Sequence, residues 1–150
     1  MKIPIVNGPN LNLVGKRSPQ IYGTTSMEQV LVSLQTQWQD IRFRYFQSNH
    51  EGALIDEIQA LALAEEPVDG IILNAGGYTH TSIALRDAVD FAAEKGIQVV
   101  EVHISDIYSR EPFRHNSLLT DVCAHSIVGQ GTDCYRQGVA WFLNSKKSRQ

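Results

Sequence analysis

Residues 68–104 of the chain read VDGIILNAGGYTHTSIALRDAVDFAAEKGIQVVEVHI. Residues 68–73 and 97–104 are rich in isoleucine and valine, a composition typical of buried strands. Between them, residues 81–95 have the pattern of a helix, and Gly96 is placed to end it. A strand, a helix and a second strand in this order predict a βαβ unit, in which both strands lie parallel in one sheet.

The same alternation continues on both sides of this unit. Capping boxes are predicted at Thr25 with Glu28 and at Ser48 with Glu51, each before a run with helical spacing. Five βα units are too few for an eight-stranded barrel, so we predict an α/β fold with an open, doubly wound, five-stranded parallel sheet covered by helices on both faces. The remaining elements are predicted as strands 3–6, 41–47 and 126–128 and as helices 27–38, 54–62 and 132–144.

Length and composition exclude several classes of protein. The 150 residues indicate a single domain, and 43% hydrophobic against 19% charged residues is typical of globular chains. A net charge of −3 argues against a broad basic face for nucleic acid, and no apolar run is long enough for a membrane span. The apolar stretch after Lys2 is too short for a signal peptide, and Cys123 and Cys134 match no zinc or redox spacing. We therefore expect a cytoplasmic protein with two buried or half-buried thiols and a frayed basic tail at 146–150.

Ligands of such a sheet bind beyond the carboxyl ends of its strands. The segment that follows the first strand, Leu11–Thr24, is unusually long for a βα connection, and we predict a lid at about residues 15–24. Three loop arginines (Arg17, Arg110 and Arg114) suit a small anionic substrate, because a guanidinium group matches a carboxylate. The alternative is that they only solvate the loops.

Several familiar sites have no matching motif in the sequence. No strand is followed by Gly-x-Gly-x-x-Gly or by Gly-x-x-x-x-Gly-Lys, which argues against a dinucleotide site and a P-loop. The sequence also lacks a Gly-x-Ser-x-Gly elbow, which argues against a serine hydrolase. Asn7, Asn10 and Asn74 stand where a phospho-receiver domain would need acidic side chains for magnesium.

Two polar residues interrupt the predicted fourth strand. Glu101 and His103 are two positions apart and therefore lie on one face, where a hydrogen bond between them would stabilise the buried carboxylate and fix the imidazole. Such a histidine is a candidate general acid, with a satisfied core histidine as the alternative. His80 is a second candidate, with a helix-cap role as its alternative. Tyr22 follows Arg17 by five residues, and a nearby cation favours a phenolate, although loop tyrosines are more often packing residues.

Blocks of residues along nearly the whole chain resemble the type II 3-dehydroquinate dehydratase family, whose members have a flavodoxin-like, three-layer fold. The blocks follow one another in the order found in the family and extend from residue 3 to about residue 138. They are residues 7–13 (NGPNLNL), 15–19 (GKRSP), Tyr22-Gly23, 47–52 (QSNHEG), 74–82 (NAGGYTHTS), 84–88 (ALRDA), 101–105 (EVHIS) and 110–115 (REPFRH).

The resemblance implies an enzyme, a hydro-lyase that converts 3-dehydroquinate to 3-dehydroshikimate through an enolate without metal or cofactor. It assigns the base to Tyr22 as a phenolate, which Arg17 keeps ionised, and the acid to His103, which Glu101 orients. Asn10 would help to hold the enolate oxygen through an ordered water. Aromatic biosynthesis and quinate breakdown both use this step.

The resemblance also implies a set of substrate-binding residues. The substrate carboxylate would lie on the backbone at Ile104 and on Ser105, and Asn74 would lie near the departing oxygen. His80 and Arg114 would bind ring hydroxyls. Asp87 would reach the site of a neighbouring subunit in a homo-oligomer built from trimers, usually four together as a dodecamer.

The chain departs from the usual family pattern at a few positions. Ser18 stands in place of a glutamate in the lid, and Asp106 in place of an asparagine near the expected carboxylate site. Tyr108 and Ser109 are also unusual. The alternative interpretation is a non-catalytic or flavin-binding flavodoxin-like domain. The first strand is not followed by a Ser/Thr-rich phosphate loop, which argues against this alternative.

Overall fold

The computed structural model describes all 150 residues as alternating strands and helices. A four-residue helix, α1, lies within the segment predicted as a lid, and short 3₁₀ turns occupy other loops. The strands are β1 (Lys2–Asn7), β2 (Arg42–Gln47), β3 (Ile71–Asn74), β4 (Val99–His103) and β5 (His125–Val128). The helices are α1 (Pro19–Tyr22), α2 (Met27–Gln37), α3 (Glu51–Ala62), α4 (Ile83–Glu94) and α5 (Asp133–Lys147).

The five strands form one parallel sheet in the order β2-β1-β3-β4-β5, which confirms the predicted fold class. This is the strand order of flavodoxin-like proteins, in which the chain direction across the sheet reverses between β1 and β3. Asn7 and Asn74 are register partners at the ends of those two strands. A ligand crevice is therefore expected just beyond this pair of asparagines.

Helices cover both faces of the sheet and give it two separate hydrophobic cores. On one face, α2 and α5 pack on the sheet through residues such as Val30, Leu34 and Val139. On the other face, α3 and α4 pack through residues such as Ile58 and Val89. Because both faces are covered, the central strands are apolar on both sides, and the polar residues buried within them need a specific partner.

Several predicted boundaries differ from the structure. The capping box of α2 consists of Ser26 and Gln29, not Thr25 and Glu28, because Ser26 is the residue with extended backbone before the first turn. The predicted box at Ser48 and Glu51 is wrong: α3 begins after His50 without a side-chain cap, and the Ser48 hydroxyl accepts a hydrogen bond from the His50 N–H instead.

Two other boundaries also move. β3 begins at Ile71, since residues 68–70 make only an isolated backbone hydrogen bond, from Asp69 to Lys2, before the regular pairing starts. α5 continues to Lys147, and Lys146 forms an ion pair with Asp69, so part of the tail that we expected to fray is helical.

Both cysteines are free, Cys134 buried and Cys123 half-buried, as predicted. No helix combines the length and the apolar composition needed to cross a bilayer.

Candidate active site

A cleft of about 200 Å³ opens beyond the carboxyl ends of β1, β3 and β4. Gly8, directly after β1, packs so closely on Ala75, directly after β3, that a Cβ atom there would lie 2.4 Å from the Ala75 carbonyl oxygen, so the two strand ends can approach only with glycine at this position. Nine of the eleven predicted site residues line the cleft: Asn10, Arg17, Tyr22, Asn74, His80, His103, Ile104, Ser105 and Arg114.

The Tyr22 hydroxyl lies between two guanidinium groups. Arg110 Nη1 donates to it at 3.1 Å and Arg17 Nη2 at 3.4 Å. Arginine cannot accept a hydrogen bond, so the phenolic oxygen is the acceptor in both contacts. Two charge-assisted donors stabilise this oxygen more strongly when it carries the negative charge of a phenolate.

Arg110 is the functional residue that sequence reasoning missed. We noted it as a loop arginine suited to an anionic substrate, but gave it no role beside Tyr22. It belongs to the loop after β4, 88 residues from Tyr22 along the chain, and it also donates to the Ser105 hydroxyl at 3.4 Å. The signal in the sequence was its place beyond a strand end, which it shares with Arg114.

The cleft carries excess positive charge. Arg17, Arg110 and Arg114 line it, and none of its lining residues is acidic. Glu111 neutralises part of this charge, because it pairs with Arg114 at 2.8 Å and lies 3.9 Å from Arg110. Arg17 forms no ion pair with any carboxylate in the chain. The cleft is therefore suited to a small anion.

Glu101 and His103 form the hydrogen bond that their spacing predicted. His103 Nε2 donates to Glu101 Oε2 at 2.9 Å, and both side chains are buried. Because a carboxylate accepts, this contact fixes the ring with its proton on Nε2. Nδ1 makes no hydrogen bond within the chain, and His103 lines the cleft.

Glu101 itself accepts four hydrogen bonds, two at each oxygen. Thr120 donates to Oε1 at 2.6 Å and Ser126 at 2.9 Å, while the Ser117 hydroxyl shares Oε2 with His103. Burial acts to raise the pKa of Glu101, but the hydrogen bond and charge of His103, with the hydroxyl donors, outweigh it and lower this pKa to about 2. The side chain therefore remains an anion opposite the imidazole at neutral pH.

The His80 side chain and the Asn10 backbone each form a hydrogen bond with a loop residue. The His80 Nδ1 lies 2.8 Å from the Asn116 carbonyl oxygen, so it is the donor and leaves Nε2 as an acceptor. Asn10 has a left-handed backbone (φ 68°), which is uncommon outside glycine, and its N–H donates to Asn49 Oδ1 at 3.0 Å.

Two of the predicted site residues do not line the cleft. Glu101 lies behind His103 and reaches the cleft only through it, as an orienting role requires. Asp87 is exposed on α4, away from the cleft of its own chain. The unusual Asp106 is likewise outside, because its carboxylate accepts from the Tyr108 N–H at 3.0 Å and caps a 3₁₀ turn.

The arrangement can bind a small carboxylate, take a proton with Tyr22 and give one from His103. No group of three or more histidine, cysteine or acidic side chains is placed to hold a metal ion. The residues that line the cleft include acid–base groups and fixed donors, the elements of proton transfer next to a carbonyl.

Comparison with known proteins identifies the family to which the chain belongs. The family model described as Dehydroquinase class II matches residues 1–143. The chain is 47% identical over 149 residues to a catabolic 3-dehydroquinase 1 of Neosartorya fischeri, covering 98% of this chain and 95% of the relative. It is 47% identical over 148 residues to a 3-dehydroquinate dehydratase of Prochlorococcus marinus, covering 95% and 98%. The crystal structure of a type II dehydroquinase from Butyrivibrio crossotus superposes with a TM-score of 0.88 at 41% identity, covering 95% of this chain and 97% of that chain. The chain belongs to the class II dehydroquinase family, a family of lyases.

Proposed function

We propose that the protein dehydrates 3-dehydroquinate to 3-dehydroshikimate, with residues 1–150 acting as one catalytic domain. The observation that carries the proposal is the pairing of a tyrosine hydroxyl held by two arginines with a carboxylate-bound histidine across one cleft. Removal of water next to a ketone needs a base, an acid and a stabiliser of the enolate, and the cleft contains candidates for all three. Relatives named for this reaction match nearly the full length of the chain.

The first step in this proposal is proton removal by Tyr22. As a phenolate, it takes the proton α to the substrate ketone, and the electron pair moves to the ketone oxygen to give an enolate. Arg17 and Arg110 stabilise the phenolate, since both donate to its oxygen. Asn10 helps to hold the enolate oxygen through an ordered water, an electrostatic contribution that is often the largest in catalysis.

The second step is loss of hydroxide, a poor leaving group unless it is protonated. His103, charged and hydrogen-bonded to Glu101, donates from Nδ1 to the departing oxygen while the enolate collapses to the conjugated enone. Glu101 balances the charge of the imidazolium before the proton leaves. Water and the enone are the products, and the proton gained by Tyr22 returns to solvent or to His103, which restores the site.

The substrate is held by the remaining residues of the cleft. Its carboxylate lies on the backbone at Ile104 and on Ser105, whose hydroxyl also contacts Arg110. His80 and Arg114 bind ring hydroxyls. No metal or cofactor enters any of these steps. The same reaction serves aromatic biosynthesis through the shikimate pathway and quinate breakdown, and the proposal covers the step common to both.

We further propose that the active form is a homo-oligomer built from trimers, assembled as a dodecamer. Asp87 is exposed on α4 and outside its own cleft, so it is free to reach the cleft of a neighbour. Ile83 lies four residues earlier on the same helix and is 64% exposed, which supports burial of this face between copies. We also propose a cytoplasmic setting, which the free Cys123 and Cys134 support.

The test is ultraviolet absorbance of the purified protein mixed with 3-dehydroquinate and no added metal. The product is a conjugated enone carboxylate, so absorbance should rise with the wild type and stay flat with His103→Ala. His125→Ala is the matched control, because His125 stacks on Trp141 outside the cleft and its loss should leave the rise intact. A flat trace with well-folded wild type would refute the proposal, and a yellow, flavin-bearing protein would favour the flavin-binding alternative.

A further inference from the structure

A buried tyrosine that the mechanism does not use lies directly under the cleft. Tyr135, near the start of α5, is fully buried and is the largest such side chain in the protein. Its hydroxyl donates to Asn7 Oδ1 at 2.9 Å and accepts from Asn74 Nδ2 at 3.1 Å. It therefore joins the two asparagines at the ends of β1 and β3, where the direction in which successive strands are added across the sheet reverses.

These contacts determine the orientation of the Asn74 amide. Asn74 Oδ1 accepts from the Gly76 N–H at 3.2 Å, which makes this atom the oxygen and the other the nitrogen. The nitrogen has two N–H groups, and the Tyr135 hydroxyl binds one of them. The second N–H makes no hydrogen bond within the chain, and Asn74 lines the cleft although it is only 3% exposed.

The direction of the chain of hydrogen bonds is also determined. Asn7 Nδ2 donates to the Tyr45 hydroxyl at 3.3 Å, which leaves Asn7 Oδ1 to accept from Tyr135. Burial raises the pKa of Tyr135 well above its ordinary value, so its phenol keeps the proton that it donates to Asn7. With that proton committed, an oxygen lone pair of Tyr135 faces Asn74.

We propose that Tyr135 is a positioning residue for the reaction: it holds the Asn74 amide so that the second N–H of Asn74 points at the departing oxygen. The expected effect on kcat rests on the proposed function, whereas the hydrogen bonds that orient the Asn74 amide do not depend on it. Tyr135 touches no substrate and acts only through Asn74. The hydrogen bond to the leaving oxygen strengthens as negative charge develops there, so its loss affects the chemical step more than substrate binding.

The test compares Tyr135→Phe with Tyr45→Phe, its matched control. Each variant removes one tyrosine hydroxyl from the same network, but only Tyr135 contacts Asn74. We expect Tyr135→Phe to lower kcat about tenfold with KM changed less than about twofold, a loss of about 1.4 kcal/mol in transition-state stabilisation. Tyr45→Phe should leave both constants within about twofold. Equal kcat values for Tyr135→Phe and wild type would overturn the proposal.

A double-mutant cycle separates positioning from a general structural effect. If Tyr135 acts through Asn74, Tyr135→Phe should lower kcat no further in an Asn74→Ala background. Full additivity of the two losses would contradict the proposal. If Tyr135→Phe does not fold, Asn7→Ala is the second variant: it frees the Tyr135 proton but keeps the hydroxyl, and it should lower kcat about threefold. Unchanged kcat in that variant would count against the proposal.

Crystal structures of the two Phe variants keep the test independent of the proposed reaction. Wild type that leaves 3-dehydroquinate unchanged would refute the proposed function alone. The Asn74 amide should turn or shift in Tyr135→Phe and stay in place in Tyr45→Phe. An Asn74 amide in the same position in both variants would overturn the inference whatever the substrate is.

Discussion

At the scale of single residues, Glu101 makes stability depend on pH in the acid range. Its pKa is about 2 in the folded protein against an ordinary value of 4.5. Because this pKa is lower in the folded protein, ionised Glu101 stabilises the fold fully above about pH 4.5, and its contribution is lost as the pH falls toward 2. The shift corresponds to about 3 kcal/mol. We expect the free energy of unfolding of the wild type to fall more steeply over this window than that of Glu101→Gln, as measured by urea titration at several pH values.

The control for this prediction is Glu66→Gln. Glu66 pairs with Lys2 at the surface, where solvent and salt screen the interaction, so its replacement should leave the acid slope close to that of the wild type. Parallel slopes for wild type and Glu101→Gln would show that the buried carboxylate is not the group responsible.

The residue scale also shows what the sequence could and could not predict about the site. The Glu101–His103 contact was predictable, because strand alternation places residues two apart on one face and a buried carboxylate needs a partner. The contact of Arg110 with Tyr22 was not, because it joins two loops whose approach depends on the whole fold. The contacts of Tyr135 could not be predicted either, because an aromatic residue near the start of a helix cannot be distinguished by sequence from an ordinary core residue.

At the scale of elements, the segment that carries Arg17 and Tyr22 depends on a glycine that follows it. Gly23 has φ 76° and ψ −173°, a backbone conformation that essentially only glycine adopts. A Cβ there would meet no atom within 4 Å, so the cost of Gly23→Ala is conformational and not steric. Because α1 can shift to relieve the strain, we expect kcat/KM for 3-dehydroquinate to fall about tenfold with a small change in Tm.

Gly52→Ala is the matched control for Gly23→Ala. Gly52 lies in the first turn of α3, has no atom near a built Cβ and has no unusual φ. Alanine there should leave kcat/KM unchanged and raise stability by about 0.5–1 kcal/mol. Equal kinetic effects of the two substitutions would show that the conformation of Gly23 does not position Tyr22.

Element boundaries could be predicted only to within a few residues. Thr25 and Ser26 are both followed three positions later by an acidic or amide side chain, so the sequence is consistent with either capping box, and the backbone conformation of Ser26 decides between them. The end of α5 was underestimated because the pairing of Lys146 with Asp69 joins residues far apart in the chain. Element types followed from hydrophobic patterns, whereas these ends depend on tertiary contacts.

At the scale of the whole molecule, the five-stranded parallel sheet was predictable from alternation alone, but the strand order was not. Right-handed crossovers restrict the possible orders without choosing one. The observed order places β1 and β3 side by side, so that Asn7 and Asn74 meet below the cleft. The resemblance to the class II dehydroquinases supplied what the pattern lacked, because the family fold fixes the order.

The proposed oligomer leads to a prediction about the outer face of α4. If Asp87 of one copy completes the cleft of another, Ile83, four residues earlier and 64% exposed, is buried between copies. A carboxylate placed there would have to be desolvated without a partner. We therefore expect Ile83→Asp to give species smaller than the wild-type oligomer by light scattering, and to lower kcat at least tenfold because each cleft then lacks its neighbour's Asp87.

The same substitution on the opposite face of the sheet is the control. Val32 on α2 is 66% exposed, and its helix packs in the other of the two cores, so Val32→Asp adds an equal charge without touching the α4 face. It should keep both the wild-type mass and the wild-type kcat. Fully active, full-size Ile83→Asp would exclude this face of α4 from the assembly. If Ile83→Asp dissociates but remains fully active, this face of α4 belongs to the interface but Asp87 does not act in the neighbouring cleft, because oligomer size and activity then vary independently.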